Sequence, residues 1–371
     1  MPSRPTVVVG AGPAGLAAAA MLRRAGTEPI VLERDRIGAS WRRGYRSLHL
    51  HTVRSLSSLP GADIPRSCGR WVAGADFLAY LERYAERERL DIRPGTEARQ
   101  VDADDSGFVI TTAGAPIQAA SVVIATGYND EPILPGWTQA DGTALPVVHS
   151  SSYRDPGPYR GQSVLVVGAG NSGSDIALDL ADGGARQVWL SARSAPGVVP
   201  RQALGLPAHV AAIPLARAPR PLADAIAGLE RRLFIGDLSA RGLPAGGDGV
   251  FTRHARRSAL PILDHGFARA VRAGRVAIVP AVEAIEGAEV VMRGGHRLRP
   301  DAVVAATGYR PALAPLVGHL GVLGPDGLPL HHGGALHPAV PGLHFTGFRN
   351  PITGALRELR FESAAIASAI A

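Results

Sequence analysis

A short apolar run broken by glycines opens the chain: TVVVGAGPAGLAAAAMLRRAGTEPIVLER, residues 6 to 34. Apolar residues in so brief a block, bounded by turn residues, predict a buried strand. GAGPAG then predicts a tight turn, the alanine-rich stretch a helix closed by Gly26, and PIVLER a second strand ending at Glu33. Further on, DFLAYLERYAERERL (76 to 90) has helical periodicity with Asp76 at its cap, and short strands are expected at 98 to 103, 107 to 112 and 117 to 124, running into VVIATGY.

The same order then recurs. VLVVGAGNSGSDIA (164 to 177) opens a second strand, turn and helix, a strand follows to Ser191, more strands are expected near 276 to 293, and VVAATGY (303 to 309) closes the copy. The second copy is longer, and the proline- and arginine-rich stretch from about 200 to 260 is where the additional chain lies. Within it PLADAIAGLERRLF (221 to 234) reads as an amphipathic helix that covers a site or packs on the core. Strands alternating with helices give an α/β class, here with two Rossmann-like dinucleotide-binding domains.

Composition narrows this picture. A chain of 371 residues has room for two packed domains, and 46% hydrophobic residues can fill both cores. The 39 basic residues are all arginine, which excludes Schiff-base chemistry and a P-loop lysine. They exceed the 32 acidic residues to give a net charge of +7, but no long basic block points to nucleic acid. Cys68 stands alone, so no intramolecular disulfide or redox pair can form, which fits a reducing cytoplasm. The apolar N-terminus is interrupted by GAGPAG and belongs to the fold rather than to a signal peptide, and no apolar run is long enough for a membrane span.

Each GxGxxG, Gly10/Gly12/Gly15 and Gly168/Gly170/Gly173, follows an apolar strand and opens a helix, the context that such a motif needs. The first glycine permits the turn, the second lets a pyrophosphate approach the backbone, and the third lets helix and strand pack closely. The residue ending the next strand separates the two sites. Eighteen positions beyond Gly15 stands Glu33, suited to a ribose diol of FAD or NAD. Eighteen beyond Gly173 stands Ser191, with Arg193 close behind, a pairing suited to the 2′-phosphate of NADPH; the alternative for Arg193 is an ordinary surface residue. One fingerprint is therefore read as an FAD site and the other as an NADPH site.

GAGPAGLA (10 to 17), GASWRRGY (38 to 45), ATGYNDEPILP (125 to 135), GAGNSGSDIA (168 to 177), RSAPGVVPR (193 to 201), PILDHG (261 to 266) and DAVVAATGYRP (301 to 311) together resemble the class B flavin monooxygenases, and within them the YUCCA-type, auxin-forming branch. The resemblance implies a glutathione-reductase-like architecture, with an NADPH domain inserted in an FAD domain. It implies that NADPH reduces the flavin, that a C4a-peroxyflavin forms with oxygen, and that one oxygen atom enters a small organic substrate. Gly10, Gly12, Gly15, Glu33, Arg34, Trp41, Arg42, Thr126, Gly127 and Gly354 would then hold FAD, the last at a helix end facing the flavin. Gly168, Gly170, Asn171, Ser172, Gly173, Arg193, Arg201, Thr307 and Gly308 would surround NADPH.

Within YRSLHLHT, His51 matches the position beside the flavin where the YUCCA-like branch has histidine, and it becomes the catalytic candidate together with Asn171. His49 and His51 alternate on what reads as a strand, so a structural role stays open. The family's signature before the second fingerprint persists only as His149 and Tyr153, with Thr143 and Leu145 in the aromatic and glycine positions, and Gly197 replaces a histidine common in the auxin-forming branch. His331, His332 and His337 read as loop histidines.

These readings place an FAD-binding domain at 1–156 and 301–371, and an NADPH-binding domain at 157–300. The expected activity is that of a flavoprotein monooxygenase, an oxidoreductase acting on a ketone, a 2-oxo acid, an amine or a sulfide with molecular oxygen. An NADPH-dependent flavin reductase that passes electrons to a partner protein is the alternative. No nucleic-acid or membrane partner is expected, and a homodimer is compatible with the sequence.

Overall fold

The structure is a computed structural model that describes residues 4–139, 145–244 and 246–371; Thr143 lies outside the described residues. The chain forms two compact units. The first comprises Met1–Arg42, Thr52–Glu131 and Tyr309–Ala371, and the second Arg43–His51 and Pro132–Gly308.

In the first unit five strands form a parallel sheet in the order Leu343–Phe345, Ser121–Ile124, Thr6–Val9, Ile30–Leu32, Asp91–Arg93. Every residue of Thr6–Val9 is buried, as a central parallel strand covered on both faces requires. Val7, Val9, Leu32, Ile124 and Phe345 point into one core with Phe108. The helices Pro13–Arg24 and Ala355–Ile370 pack against each other. The expected helix at 76 to 90 forms as Gly74–Arg87, starting two residues early. Asp76 therefore sits in its first turn and makes no cap hydrogen bond, although its charge still opposes the positive helix end.

The second unit repeats this plan. Its parallel order is Ala277–Val279, Gln187–Ser191, Ser163–Val167, Ala302–Ala305, Val147–His149. In both units a three-stranded antiparallel sheet precedes the strand that ends in ATGY: Gln100–Asp104, Gly107–Thr111 and Ile117–Ala119 in the first, and Val282–Glu286, Glu289–Met292 and Arg297–Leu298 in the second. The outermost strand beyond the ATGY strand comes from opposite sides in sequence, after it in the first unit and before it in the second.

The added stretch supplies three helices, Ala208–Leu215, Arg220–Phe234 and Val250–Arg257. Asp224 joins the last two, because its carboxylate accepts from the Phe251 amide at 2.7 Å and from the Thr252 hydroxyl. Arg220–Phe234 packs on the unit through Ala223 and Ala227, leaving Leu222, Ile226, Leu229 and Leu233 exposed. Among the described residues no helix is long and apolar enough to cross a membrane.

The expected strand around His49 and His51 does not form. Turns occupy the segment, with only His49 in a bridge. Side chains hold it in place of a ladder: Arg154 donates to the Arg43 carbonyl, and Arg201 Nη2 to the Leu50 carbonyl at 3.0 Å.

Candidate functional site

The first fingerprint turn requires its glycines for different physical reasons. Gly10 has φ +107°, and a Cβ there would lie 2.6 Å from the Ala125 carbonyl oxygen. A Cβ on Gly15 would lie 1.8 Å from the Gly10 carbonyl oxygen, so helix and strand close only over hydrogen. Gly12, at the start of helix Pro13–Arg24, has nothing within 4 Å of its Cβ position, leaving open space where the helix amides converge.

Glu33 is buried beside this turn. Its Oε2 accepts from the Ala11 amide at 2.8 Å, and its Oε1 from the Asp35 amide at 2.9 Å. Carboxylate oxygens have more acceptor sites than these two bonds use, so Glu33 can take a ribose diol while remaining fixed. The Thr126 hydroxyl, next to Gly10, is buried and has no protein partner. An open position at a helix N-terminus, a fixed carboxylate and an unsatisfied hydroxyl fit a dinucleotide such as FAD.

The other expected FAD residues fall in this unit as well. Arg34 pairs with Asp130; burial opposes its charge, but that partner raises its pKa. Trp41 packs edge-on against Phe77 with centroids 4.6 Å apart, and Arg42 pairs with Glu82 at 2.6 Å in the open. Gly127 has φ +97°. Gly354 precedes helix Ala355–Ile370 at φ +101°, where a Cβ would lie 2.8 Å from Thr52 Cγ2.

The second unit has the same turn. A Cβ on Gly168 would lie 2.3 Å from the Ala306 carbonyl oxygen, one on Gly173 1.8 Å from the Gly168 carbonyl oxygen, and Gly170 again is open. Here no carboxylate ends the neighbouring strand. Ser191 is buried and donates to the Pro280 carbonyl at 2.7 Å, so its hydroxyl is used internally. Arg193 is exposed and makes no ion pair among the described residues. Ser172 is exposed in the first turn of the helix, the Thr307 hydroxyl donates to the Ile133 carbonyl, and the Gly308 carbonyl lies 3.1 Å from His149 Nε2.

Asn171 opens the second fingerprint helix. Its Nδ2 donates to the Pro261 carbonyl at 3.0 Å and its Oδ1 accepts from the Leu263 amide at 3.0 Å, clamping the strand Ile262–Asp264. One turn along the same helix face is Asp175, which the sequence reading did not single out. Tyr45 Oη donates to its Oδ2 at 2.7 Å, His265 Nε2 lies 3.0 Å from its Oδ1, and His51 Nε2 lies 3.6 Å from its Oδ2. Burial would raise the Asp175 pKa, but the bond from His265 and the neighbouring His51 and Tyr45 hold it low. Burial lowers the pKa of His51 and takes that of Arg201 down to about 10, Asp175 opposing both shifts. The spacing of Asp175 from Asn171, four residues on a helix, was the available signal.

The profile of the pyridine nucleotide-disulphide oxidoreductase family matches residues 7–198. A probable indole-3-pyruvate monooxygenase of Arabidopsis thaliana, YUCCA9, is 34% identical over 319 residues, covering 82% of this chain and 74% of that protein. The indole-3-pyruvate monooxygenase YUCCA8 of Oryza sativa subsp. indica is 34% identical over 318 residues, covering 82% and 75%. The chain belongs to the flavin monooxygenase family. A flavin-containing monooxygenase from Stenotrophomonas maltophilia superposes over all of both chains with a TM-score of 0.74 at 25% identity. An NADP-bound steroid monooxygenase, at 19% identity and a TM-score of 0.75 over 99% of this chain and 85% of that one, shares the fold. Two parallel-sheet dinucleotide domains are thus the architecture of this flavin monooxygenase, which is an oxidoreductase. A relay through an internal cysteine pair is closed to a chain with Cys68 alone, and these relatives give no support to a reductase serving a partner protein.

Proposed function

We propose that the protein uses FAD in its first unit and NADPH in its second to insert one atom of molecular oxygen into a small carbonyl substrate, a ketone or 2-oxo acid. The observation that carries this reading is the contrast between two glycine turns with the same close contacts: one is followed by the fixed carboxylate of Glu33, the other by Arg193, which is exposed and without an ion pair among the described residues. A carboxylate holds a ribose diol and repels a 2′-phosphate, whereas a guanidinium clamps one. The names of the plant relatives support the carbonyl substrate.

FAD, when bound, supplies the ring that accepts a hydride from NADPH and activates oxygen. The residues of the chain do the rest. Gly12 and Gly170 leave room for phosphates at two helix N-termini, and Thr126 offers a hydroxyl with no competing partner. Asn171 keeps one amide hydrogen beyond its clamp on Ile262–Asp264. Burial disfavours the charged form of His51, which suits the role assigned to it here, taking up a proton and returning it during oxygen transfer. Amine and sulfide oxidation, which needs no carbonyl, is the second reading within the same chemistry. Cys68 as the sole cysteine supports a reducing compartment such as the cytoplasm.

The test is an NADPH-oxidation screen across ketones, 2-oxo acids, amines and sulfides with product mass recorded. A gain of one oxygen atom by a carbonyl substrate is expected. NADPH consumption that yields only hydrogen peroxide with every substrate would defeat the proposal.

A further inference from the structure

Asp175 is an odd residue for its place. It sits in the second fingerprint helix, Asn171–Asp182, and only 12% of its side chain is exposed. A carboxylate there is costly unless it is paired. It is paired three times over. Tyr45 and His51 reach it from the segment Arg43–His51, and His265 from the end of the strand Ile262–Asp264.

The two imidazoles approach opposite oxygens of one carboxylate through the same ring atom, Nε2, at unequal distances. His265 is hydrogen-bonded at 3.0 Å, while His51 stands off at 3.6 Å, an electrostatic contact rather than a bond. Tyr45 fixes Oδ2 at 2.7 Å, so the carboxylate cannot swing to suit either ring. Both rings are about one-third exposed at the side chain, at 35% for His265 and 32% for His51. Arg201 is the remaining cation in the cluster, its Nη2 anchored on the Leu50 carbonyl at 3.0 Å next to His51.

The geometry points to a shared-proton pair: Asp175 positions His51, and His265 is the counterpart that releases a proton when His51 acquires one. This rests on the reading of His51 as the group that handles the proton in oxygen transfer. In the resting form of this pair the proton resides on His265 and His51 is neutral. A proton arriving on Nδ1 of His51 makes an imidazolium whose Nε2–H closes the gap to Asp175 Oδ2. His265 then gives its proton to solvent, and the total charge of the cluster is unchanged. The return step runs in reverse, so His51 delivers its proton as His265 is recharged. No oxidant or other reactant is involved.

The electrostatics agree. The hydrogen bond to Asp175 raises the pKa of His265 against burial, with Asp264 assisting and Arg201 opposing. Burial lowers that of His51, with Arg201 and His265 adding to the effect and Asp175 alone opposing it. Two like groups across one carboxylate hold a single proton over a wide pH interval.

The experiment is an imidazole nitrogen NMR titration of the FAD-loaded full chain, with His51 and His265 identified by their loss in His51→Asn and His265→Gln. In His265→Gln the His51 pKa should rise by about one unit, tenfold in proton affinity. In Asp175→Asn the His265 pKa should fall by a similar amount, and Asp175→Glu should restore part of it. A His51 pKa that does not move in His265→Gln, whose position is partly exposed and tolerant of change, overturns the pair even if Asp175→Asn fails to fold. The product yield of His51→Asn is read separately. If it equals the parent while the titrations remain coupled, the pair stands as a structural fact and the catalytic reading of His51 falls.

Discussion

Ala11 donates its amide to Glu33 Oε2 at 2.8 Å, across the 22 residues that separate the first glycine turn from the end of the following strand. This bond sets the carboxylate in place before any nucleotide arrives, so the site is organised by the fold rather than by its ligand. Glu33→Ala removes both that acceptor and the one held by Asp35. Hydrogen bonds to a charged group contribute ~1.5–3 kcal/mol each, so FAD affinity should fall roughly tenfold to a hundredfold. Fluorescence of released flavin on dilution measures this, with retention equal to the parent as the contrary result.

The two kinds of glycine in each turn should respond oppositely to one methyl group. Gly15→Ala and Gly173→Ala place a Cβ 1.8 Å from a backbone oxygen, and each should cost about 2 kcal/mol or more, roughly 4–8 °C in melting temperature. Gly12→Ala has free space and an ordinary φ of −81°, so the melting temperature should hold while flavin content drops. Calorimetry beside flavin absorbance separates the two effects; equal melting shifts in all three variants would contradict the argument.

Arg193 should govern the choice of nicotinamide nucleotide. Its replacement in Arg193→Gln should remove a clamp for a 2′-phosphate without disturbing any ion pair among the described residues. A drop of about tenfold or more in kcat/KM with NADPH is expected, NADH being unaffected, from the ~1.5–3 kcal/mol of a charged hydrogen bond. Initial rates of flavin reduction with both nucleotides give the ratio, and an unchanged ratio would assign the role elsewhere.

Acid should weaken the first unit through His332. Burial, with Arg349 adding to it, lowers the His332 pKa from 6.5 to about 4. The unfolded chain binds a proton near 6.5 that the folded chain refuses until about 4, so stability is full above that window and declines as pH falls through it. Melting temperatures across this range should fall less steeply in His332→Gln than in the parent. Parallel curves would place the acid sensitivity in other groups.

Both glycine turns, and the contrast between a carboxylate at Glu33 and a guanidinium at Arg193, were legible in the sequence, because they depend on local backbone geometry and on charge at a fixed spacing. The Asp175 cluster was not, because Tyr45, His51, Asp175 and His265 come from three separate stretches of chain that only tertiary packing joins. GAGNSGSDIA and PILDHG contain two of its members, yet neither string carries a periodic signal linking an inward carboxylate to a distant imidazole. The segment YRSLHLHT misled for a related reason: its alternation suggested a strand, but it runs in turns, with the Leu50 carbonyl taken by the Arg201 side chain and the Arg46 amide by the Arg154 carbonyl.

The opposite origins of the outermost strands have a consequence for biosynthesis. Once Ala305 has emerged from the ribosome, the second sheet has all five of its strands, whereas the first still waits for Leu343–Phe345 and for the terminal helix that covers Pro13–Arg24. Nascent chains should therefore mature from the middle outward, with the earliest-made turn, the one bearing Gly10, among the last to acquire its finished surroundings.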